Sequence, residues 1–386
     1  MTGGIFMTRE IRGKGIARRK FLLAGLGLVG CSTLGAKGLF QSGRASGLPG
    51  EAPSASNRGL SGMTASGRLS SPVYSPDGSH LFPADPLAPA GKSRVLLIKT
   101  DSRADGVRKA FAFFMDSNPF RSKKVLIKPN FNTSDETPGS THNDTLKEIL
   151  SELRIAGAKE LTIGDRSGPE PTEQVFDKKG IRELARAFEA RLLNFDELGP
   201  DGYVKVTPPG SHWQDGFLVA RPVVEAEALV STCCLKTHGF GGVFTMSLKN
   251  SVGIVPRKGY TYMRELHSSP HQRRMIAEIN YAYKPTFIIL DGLVAFVDQG
   301  PMTGPRKEAH VFLAGVDRVA IDAVAVAILK ELGSNDAIMK PKVFEQEQIA
   351  RAAELGLGVS SPDDIIIETL DAASADYAAK IRPLLS

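Results

Sequence analysis

The sequence predicts an α/β domain built on a mainly parallel sheet flanked by helices, with a short antiparallel insertion. Three observations predict it. First, short apolar runs stop abruptly at a polar or charged residue: Val125-Leu126-Ile127 at Lys128, Leu161-Thr162-Ile163 before Asp165, and Leu229 to Leu235 at Lys236. Phe287 to Leu290 stops likewise at Asp291, and Val311 to Ala314 just before Asp317. Second, turn residues follow those stops, which marks the runs as buried strands. Third, helical spacings lie between most of the runs, the order expected of βαβ units. In such sheets ligands bind in the crevice outside the carboxyl ends of the strands. The polar residues that close the five runs are therefore expected at one edge.

Taken in order, a first strand is expected near residues 94–99, then a helix over 104–116 with Val107, Ala110, Phe111 and Phe114 on one stripe. The strand at Val125 ends in Lys128-Pro129-Asn130, where Pro129 cannot extend a ladder. A polar loop over 131–140 leads to a helix starting near Thr141, with Leu146, Ile149, Leu150 and Leu153 at helical spacing and Gly157 as its C-terminal cap. The strand at Leu161 completes a βαβ unit. A helix is expected over 181–190, and Pro/Gly-punctuated short strands over 191–221. Helices over 272–283, 319–332 and 344–355 and a late strand over 364–370 complete the body.

Composition is that of an ordinary globular protein, 42% hydrophobic and 23% charged over 386 residues. The formal charge of +6 is concentrated at the start: residues 1–31 carry six basic side chains against Glu10 alone. The nearly neutral remainder has no net field to attract nucleic acid. Arg18-Arg19-Lys20-Phe21-Leu22 followed by a short Gly-containing apolar run resembles a twin-arginine export signal, with Ala17 in place of the usual Ser or Thr. The run is shorter than the about 20 apolar residues a membrane span takes. Leu28-Val29-Gly30-Cys31 also resembles a lipoprotein box, so acylated Cys31 is a candidate membrane anchor. Residues 32–92, rich in Gly, Ser, Pro and Ala, read as a flexible linker, and residues 93–386 as the α/β domain. Export to the periplasm or another extracytoplasmic space is the expected localisation.

Several side chains could carry chemistry at the sheet edge. Lys128 and Asn130 could hold a carboxylate or phosphate; the plain alternative is a solvated lysine and a self-satisfied turn. Asp165, in Gly164-Asp165-Arg166-Ser167-Gly168, could ligate a metal or orient a base, or simply cap a turn. Lys236-Thr237-His238-Gly239 is the strongest local signal, because histidine exchanges protons near neutral pH and Lys236 adds positive charge beside it. Lys249 and Asn250 could bring a second cation and amide to the same cleft. Asp317 and Asp322 flank a helix start and are read as capping residues. His267 and His271 sit four apart, but Pro270 between them interrupts any shared helix. Cys233 and Cys234, adjacent in a strand, are expected to be buried thiols on opposite faces. No GxGxxG follows an expected strand, and no P-loop, G-x-S-x-G or HExxH motif occurs.

The ordered set Lys128-Pro129-Asn130, Gly164-Asp165, Lys236-Thr237-His238, Lys249-Asn250-Ser251-Val252-Gly253, Asp291-Gly292 and Gly300-Pro301 resembles the domain of unknown function 362 family, over about Val125 to Leu332. The resemblance implies one shared site but no established reaction. Many members look like iron–sulfur proteins through ferredoxin-type cysteine clusters. With no CxxCxxC run, this chain is expected to hold no such cluster itself. The functional expectation is a small anionic ligand bound by Lys128, Asn130, Lys249 and Asn250, with His238 and Lys236 as the catalytic candidates. Asp165 and Asp291, with His238, are the candidate ligands for a divalent metal. The alternative is a non-catalytic solute binder, or an accessory subunit whose redox partner carries the clusters.

Overall fold

The computed structural model describes residues 88–386. The expected signal with Cys31, and nearly all of the expected linker, lie outside the described residues. Eleven strands are found among them: β1 (Ser93–Lys99), β2 (Lys124–Lys128), β3 (Glu160–Asp165), β4 (Arg191–Asn194), β5 (Tyr203–Val206), β6 (Phe217–Ala220), β7 (Ala228–His238), β8 (Val243–Thr245), β9 (Phe287–Phe296), β10 (Arg306–Gly315) and β11 (Ile365–Glu368). The main sheet runs in the order β11-β1-β10-β9-β7-β2-β3-β4, and β8 pairs with β7. Along that path β10 alone is antiparallel to its neighbours. The fold is thus mixed α/β with a mainly parallel sheet. The short antiparallel sheet expected between Arg191 and Arg221 is β5 with β6, while β4 joins the main sheet beside β3.

Strand alternation loads both faces of the sheet. Leu126 faces one core, with the helices Arg318–Glu331, Gln272–Ile279 and Glu347–Glu354. Val125 and Ile127 face the other, with the helices Arg103–Phe114, Asn143–Ile155 and Ile181–Ala187. Burying both faces is why these strands read as continuous apolar runs rather than alternating ones. The helix Asn143–Ile155 buries Leu146, Ile149, Leu150 and Leu153 as its spacing predicts, and Gly157 follows it at φ +80°. Among the helices of seven residues or more, three were not expected: Thr172–Lys178, Tyr262–Ser268 and Ala372–Ile381. The first two are two turns long, too short for periodicity to stand out.

Two strand ends differ from expectation. β9 runs on through Asp291-Gly292 to Phe296, so the expected turn is mid-strand. There Asp291 pairs with Phe312 of β10 and Cys234 of β7, and tertiary pairing overrides the local Asp-Gly turn preference. β10 is antiparallel to β1 and β9, so Gly315 and Asp317 lie at the sheet edge opposite the carboxyl ends of β2, β3 and β7. Asp317 caps instead: its carboxylate accepts from Val319 N at 2.7 Å, Ala320 N at 3.1 Å, Val359 N at 2.9 Å and the Ser93 hydroxyl at 2.7 Å. One buried side chain thus starts a helix and ties it to β1. Asp317→Ala should lower unfolding free energy by about 2–4 kcal/mol, since a cap and further buried donors are lost together. Urea denaturation measures this, and an unchanged midpoint would contradict the capping role.

Candidate functional site

The carboxyl ends of β2, β3 and β7 meet where the chain passes from β2 to β3 on one side and β7 lies on the other, the switch point of a doubly wound sheet. Lys128 ends β2, Asp165 ends β3, and the two form a buried ion pair with Nζ to Oδ1 of 2.7 Å. Lys128 also donates to Pro129 O at 2.8 Å and Asn250 Oδ1 at 3.2 Å, which uses all three N–H groups. Asp165 accepts from Phe131 N at 2.8 Å and Arg166 N at 2.7 Å. Burial lowers the Lys128 pKa and raises that of Asp165, and each partner's charge works against that shift. A side chain at Gly253 would put its Cβ 2.6 Å from Asp165 Oδ1 and 2.8 Å from Lys128 Nζ. Only glycine lets the backbone cover this pair so closely.

Lys236 is fully buried inside β7. Its Nζ donates to Asn130 Oδ1 at 2.8 Å, Gly139 O at 2.6 Å and Pro301 O at 3.2 Å. Among the described residues it has no carboxylate partner, and burial pushes its pKa down to about 8. The group acts as a strut between the loops after β2 and before β10. His238 Nδ1 accepts from Phe240 N at 3.2 Å and Gly242 N at 3.3 Å, so the proton of the neutral ring sits on Nε2. Burial first, then the charges of Lys249 and Lys236, hold His238 far below the ordinary histidine range. It stays neutral at physiological pH.

Lys249 and Asn250 stand on the short helix Ser247–Asn250, whose first two N–H groups are held by Asp322 at 2.7 and 2.9 Å. Asp322 therefore does more than its sequence position suggests: it lies within the buried helix Arg318–Glu331 and orients the segment that carries Lys249. Burial pushes the Asp322 pKa up to about 7. Asn250 Nδ2 donates toward Lys128 O, the Ser231 hydroxyl and Thr232 O at 3.1–3.3 Å. Lys249 has no hydrogen-bond acceptor among the described residues, and it faces open space. Burial, then the charges of Lys236 and Arg166, push its pKa down to about 7.

That open space is a narrow cleft of about 40 Å³, lined by Lys128, Asn130, Asn132, Asp165, Arg166, Thr245, Lys249, Asn250 and Pro301 with Gly168, Val252 and Gly253. It has room for a few water-sized groups, so an occupant must be very small. Four lining groups have no hydrogen-bond partner among the described residues: Lys249 Nζ, Asn130 Nδ2, the Asn132 side-chain amide and the buried Thr245 hydroxyl. Arg166 is held by Val252 O at 2.6 Å and Val255 O at 2.8 Å, not by a carboxylate. Its pKa falls to about 10 through burial. Asp165 is the one carboxylate in the lining, and Lys128 already neutralises it.

The structure therefore brings together Lys128, Asn130, Asp165, Lys249 and Asn250 as sequence reasoning expected. Lys236 and His238 stand behind the lining, as strut and backbone acceptor. Asp291 is apart: it accepts from Arg103 Nε at 2.8 Å, the Thr145 hydroxyl at 2.7 Å and Leu293 N at 3.2 Å. The expected metal set of Asp165, Asp291 and His238 does not assemble, because each has its own partners. Among the described residues no group of three His, Cys, Asp or Glu side chains could hold a metal ion. His271 packs on His212 with ring centroids 4.6 Å apart, and His267 lies on the preceding helix. Sequence reasoning passed over Asn132, Arg166 and Thr245. Arg166 was within reach, since it directly follows the strand-ending Asp165.

An α/β sheet with a cation-rich cleft at its switch point defines the class of protein. The chain belongs to the family described as a domain of unknown function (DUF362), which matches residues 125–327. It is similar to a thylakoid-associated protein of Synechocystis, 26% identical over 253 residues that cover 64% of this chain and 74% of the relative. Among solved structures, the lactate racemase apoprotein from Thermoanaerobacterium thermosaccharolyticum aligns at 18% identity with a TM-score of 0.37. That alignment covers 54% of this chain and about half, 52%, of the racemase.

Breaking the buried pair is expected to be costly. Lys128→Met should destabilise the fold by about 3–5 kcal/mol, the cost of one uncompensated buried charge. Adding Asp165→Asn, which removes the charge but can still accept from Phe131 N, should recover much of the loss. Chemical denaturation of both variants tests this, and a double variant no more stable than the single would refute it.

Proposed function

We propose that the cleft binds a small anionic ligand, of carboxylate or phosphate type, through Lys249, Asn130 and Thr245. One observation carries the reading: Lys249 Nζ, Asn130 Nδ2, the Asn132 amide and the Thr245 hydroxyl line a single cleft, and none has a hydrogen-bond partner among the described residues. Buried polar groups are almost always paired, so unpaired ones around open space await an outside acceptor. Charge supports an anion in particular. Arg166 and Lys249 add positive charge to the lining and Lys236 stands behind it, while the carboxylate of Asp165 is taken by Lys128. Lys128 and Asn250 position the site, since their own hydrogen bonds are spent within the protein. Export by the twin-arginine-like signal and anchoring through acylated Cys31 are part of the same reading and rest on residues 1–31 alone.

Glycolate, whose charge is constant above about pH 6, is a suitable calorimetric probe. Wild-type protein should bind it, and Lys249→Met should weaken binding by about tenfold or more, as expected for one charge-assisted hydrogen bond. The Lys249 ammonium favours the anion and is lost as pH rises through its pKa. Affinity should therefore fall by about tenfold between roughly pH 6 and pH 9, with bound anion moving the midpoint above the free value of about 7. Absence of binding at any pH would overturn the reading. Palmitate incorporation in the native host that disappears in Cys31→Ala tests the anchor; an unlabelled wild-type protein excludes it.

A further inference from the structure

Three lysines reach this edge of the sheet, and their hydrogen bonding divides them. Lys128 and Lys236 each spend three N–H groups on acceptors within the protein, an arrangement that suits a permanent ammonium. Lys249 has none. Its stem is fixed nonetheless, because the Cα of Gly242 approaches so closely that an added Cβ would lie 2.8 Å from Lys249 Cε and 2.9 Å from His238 Nδ1. The Asp322 carboxylate holds the start of its helix from behind. The result is an amine on a braced stem, opening into a cleft that it shares with donors left without a partner among the described residues, the Asn130 and Asn132 amides and the Thr245 hydroxyl.

We propose that Lys249 is an amine nucleophile, and that the anion of this cleft is a small aldehyde or ketone carrying a carboxylate or phosphate, which Lys249 binds covalently as an imine. The proposal rests on the anion-binding reading and names its substrate class. In the step, the Nζ lone pair forms a bond to the carbonyl carbon as the C=O π electrons move to oxygen, giving a carbinolamine. The oxygen then leaves as water, taking both hydrogens of the neutral amine, while the nitrogen lone pair closes the C=N bond. No oxidant or reductant is needed. The environment favours the neutral amine: the charges of Lys236 and Arg166 oppose a third cation, neutral His238 supplies no counter-charge, and Asp165 is taken by Lys128. Burial acts in the same sense, and together they bring the group to about 7, where much of it is unprotonated at neutral pH. Lysines placed beside other cations in a desolvated site are activated in this way. The anionic group of the ligand would be held by Asn130 and Thr245, leaving its carbonyl to the amine.

The test uses the full-length chain, glyoxylate as the smallest carboxylate-bearing aldehyde, and cyanoborohydride to reduce any imine to a stable carboxymethyl amine. Peptide mass spectrometry then locates the label. Lys249 should be labelled roughly tenfold or more faster than exposed Lys340, despite its lesser exposure, because a lowered pKa frees the amine at neutral pH. Glycolate, which has the carboxylate but no carbonyl, should protect Lys249 and leave Lys340 unaffected. Lys249→Arg should remove the protected label; a protected label that persists on another lysine overturns the assignment. Labelling of Lys249 no faster than Lys340, with glycolate still bound by calorimetry, overturns the imine and leaves the anion cleft standing. Selective labelling with no glycolate binding upholds the amine chemistry and overturns the anion reading. Neither labelling nor binding overturns both.

Discussion

The carboxyl edge of the sheet depends on how two ammonium groups are satisfied away from water. A buried lysine needs acceptors for three N–H groups or it costs several kcal/mol. Lys236 finds its acceptors in Asn130, Gly139 and Pro301, and so fastens two long loops to β7. Lys128 finds Asp165, Pro129 and Asn250, which joins β2, β3 and the helix Ser247–Asn250. These six contacts fix where the walls of the cleft stand. The oxygens that serve them are no longer free for a ligand.

The same demand explains the glycines of the edge. Gly253 must pass against the Lys128–Asp165 pair, and Gly300 sits at φ +72° where a Cβ would meet Thr237 O at 2.2 Å. Close backbone approach is what brings carbonyls to ammonium groups without intervening water. Lys249 is the exception that this packing creates. Its backbone is set by Asp322 and its stem by Gly242, yet among the described residues no carbonyl accepts from its Nζ. A cation held in place without acceptors is primed either to meet an anion or to give up its proton.

Much of this was legible along the chain. Lys128, Asn130 and Asp165 stand at strand ends and Lys249 and Asn250 in a short segment between glycines, and continuous apolar runs such as Leu229 to Leu235 announce strands covered on both faces. The errors have one source. Asp291-Gly292 looks like a stop, but pairing with β10 and β7 carries the strand through it. Lys236 and His238 look exposed for the same reason, although β7 continues to His238 and pairs there with β8. Local turn preference amounts to a few tenths of a kcal/mol to about 1 kcal/mol, and a strand buried on both faces overrides it. Asp322 could not be foreseen as the support of Lys249, because its partners Ser247 and Leu248 lie more than seventy residues away.

The sequence by itself determined the layered α/β architecture and the side chains that gather at one edge, because burial periodicity and turn chemistry act over a few neighbouring residues. Family membership lay in the order of the same short motifs. Tertiary structure alone decided which of these side chains are spent and which remain open. Whether an ammonium meets a carbonyl or open space depends on segments a hundred residues apart, and on strand direction: one antiparallel strand, β10, sends Asp317 to the far edge. Hydrogen-bond satisfaction is a property of three-dimensional neighbours, and a lysine's chemistry follows from it.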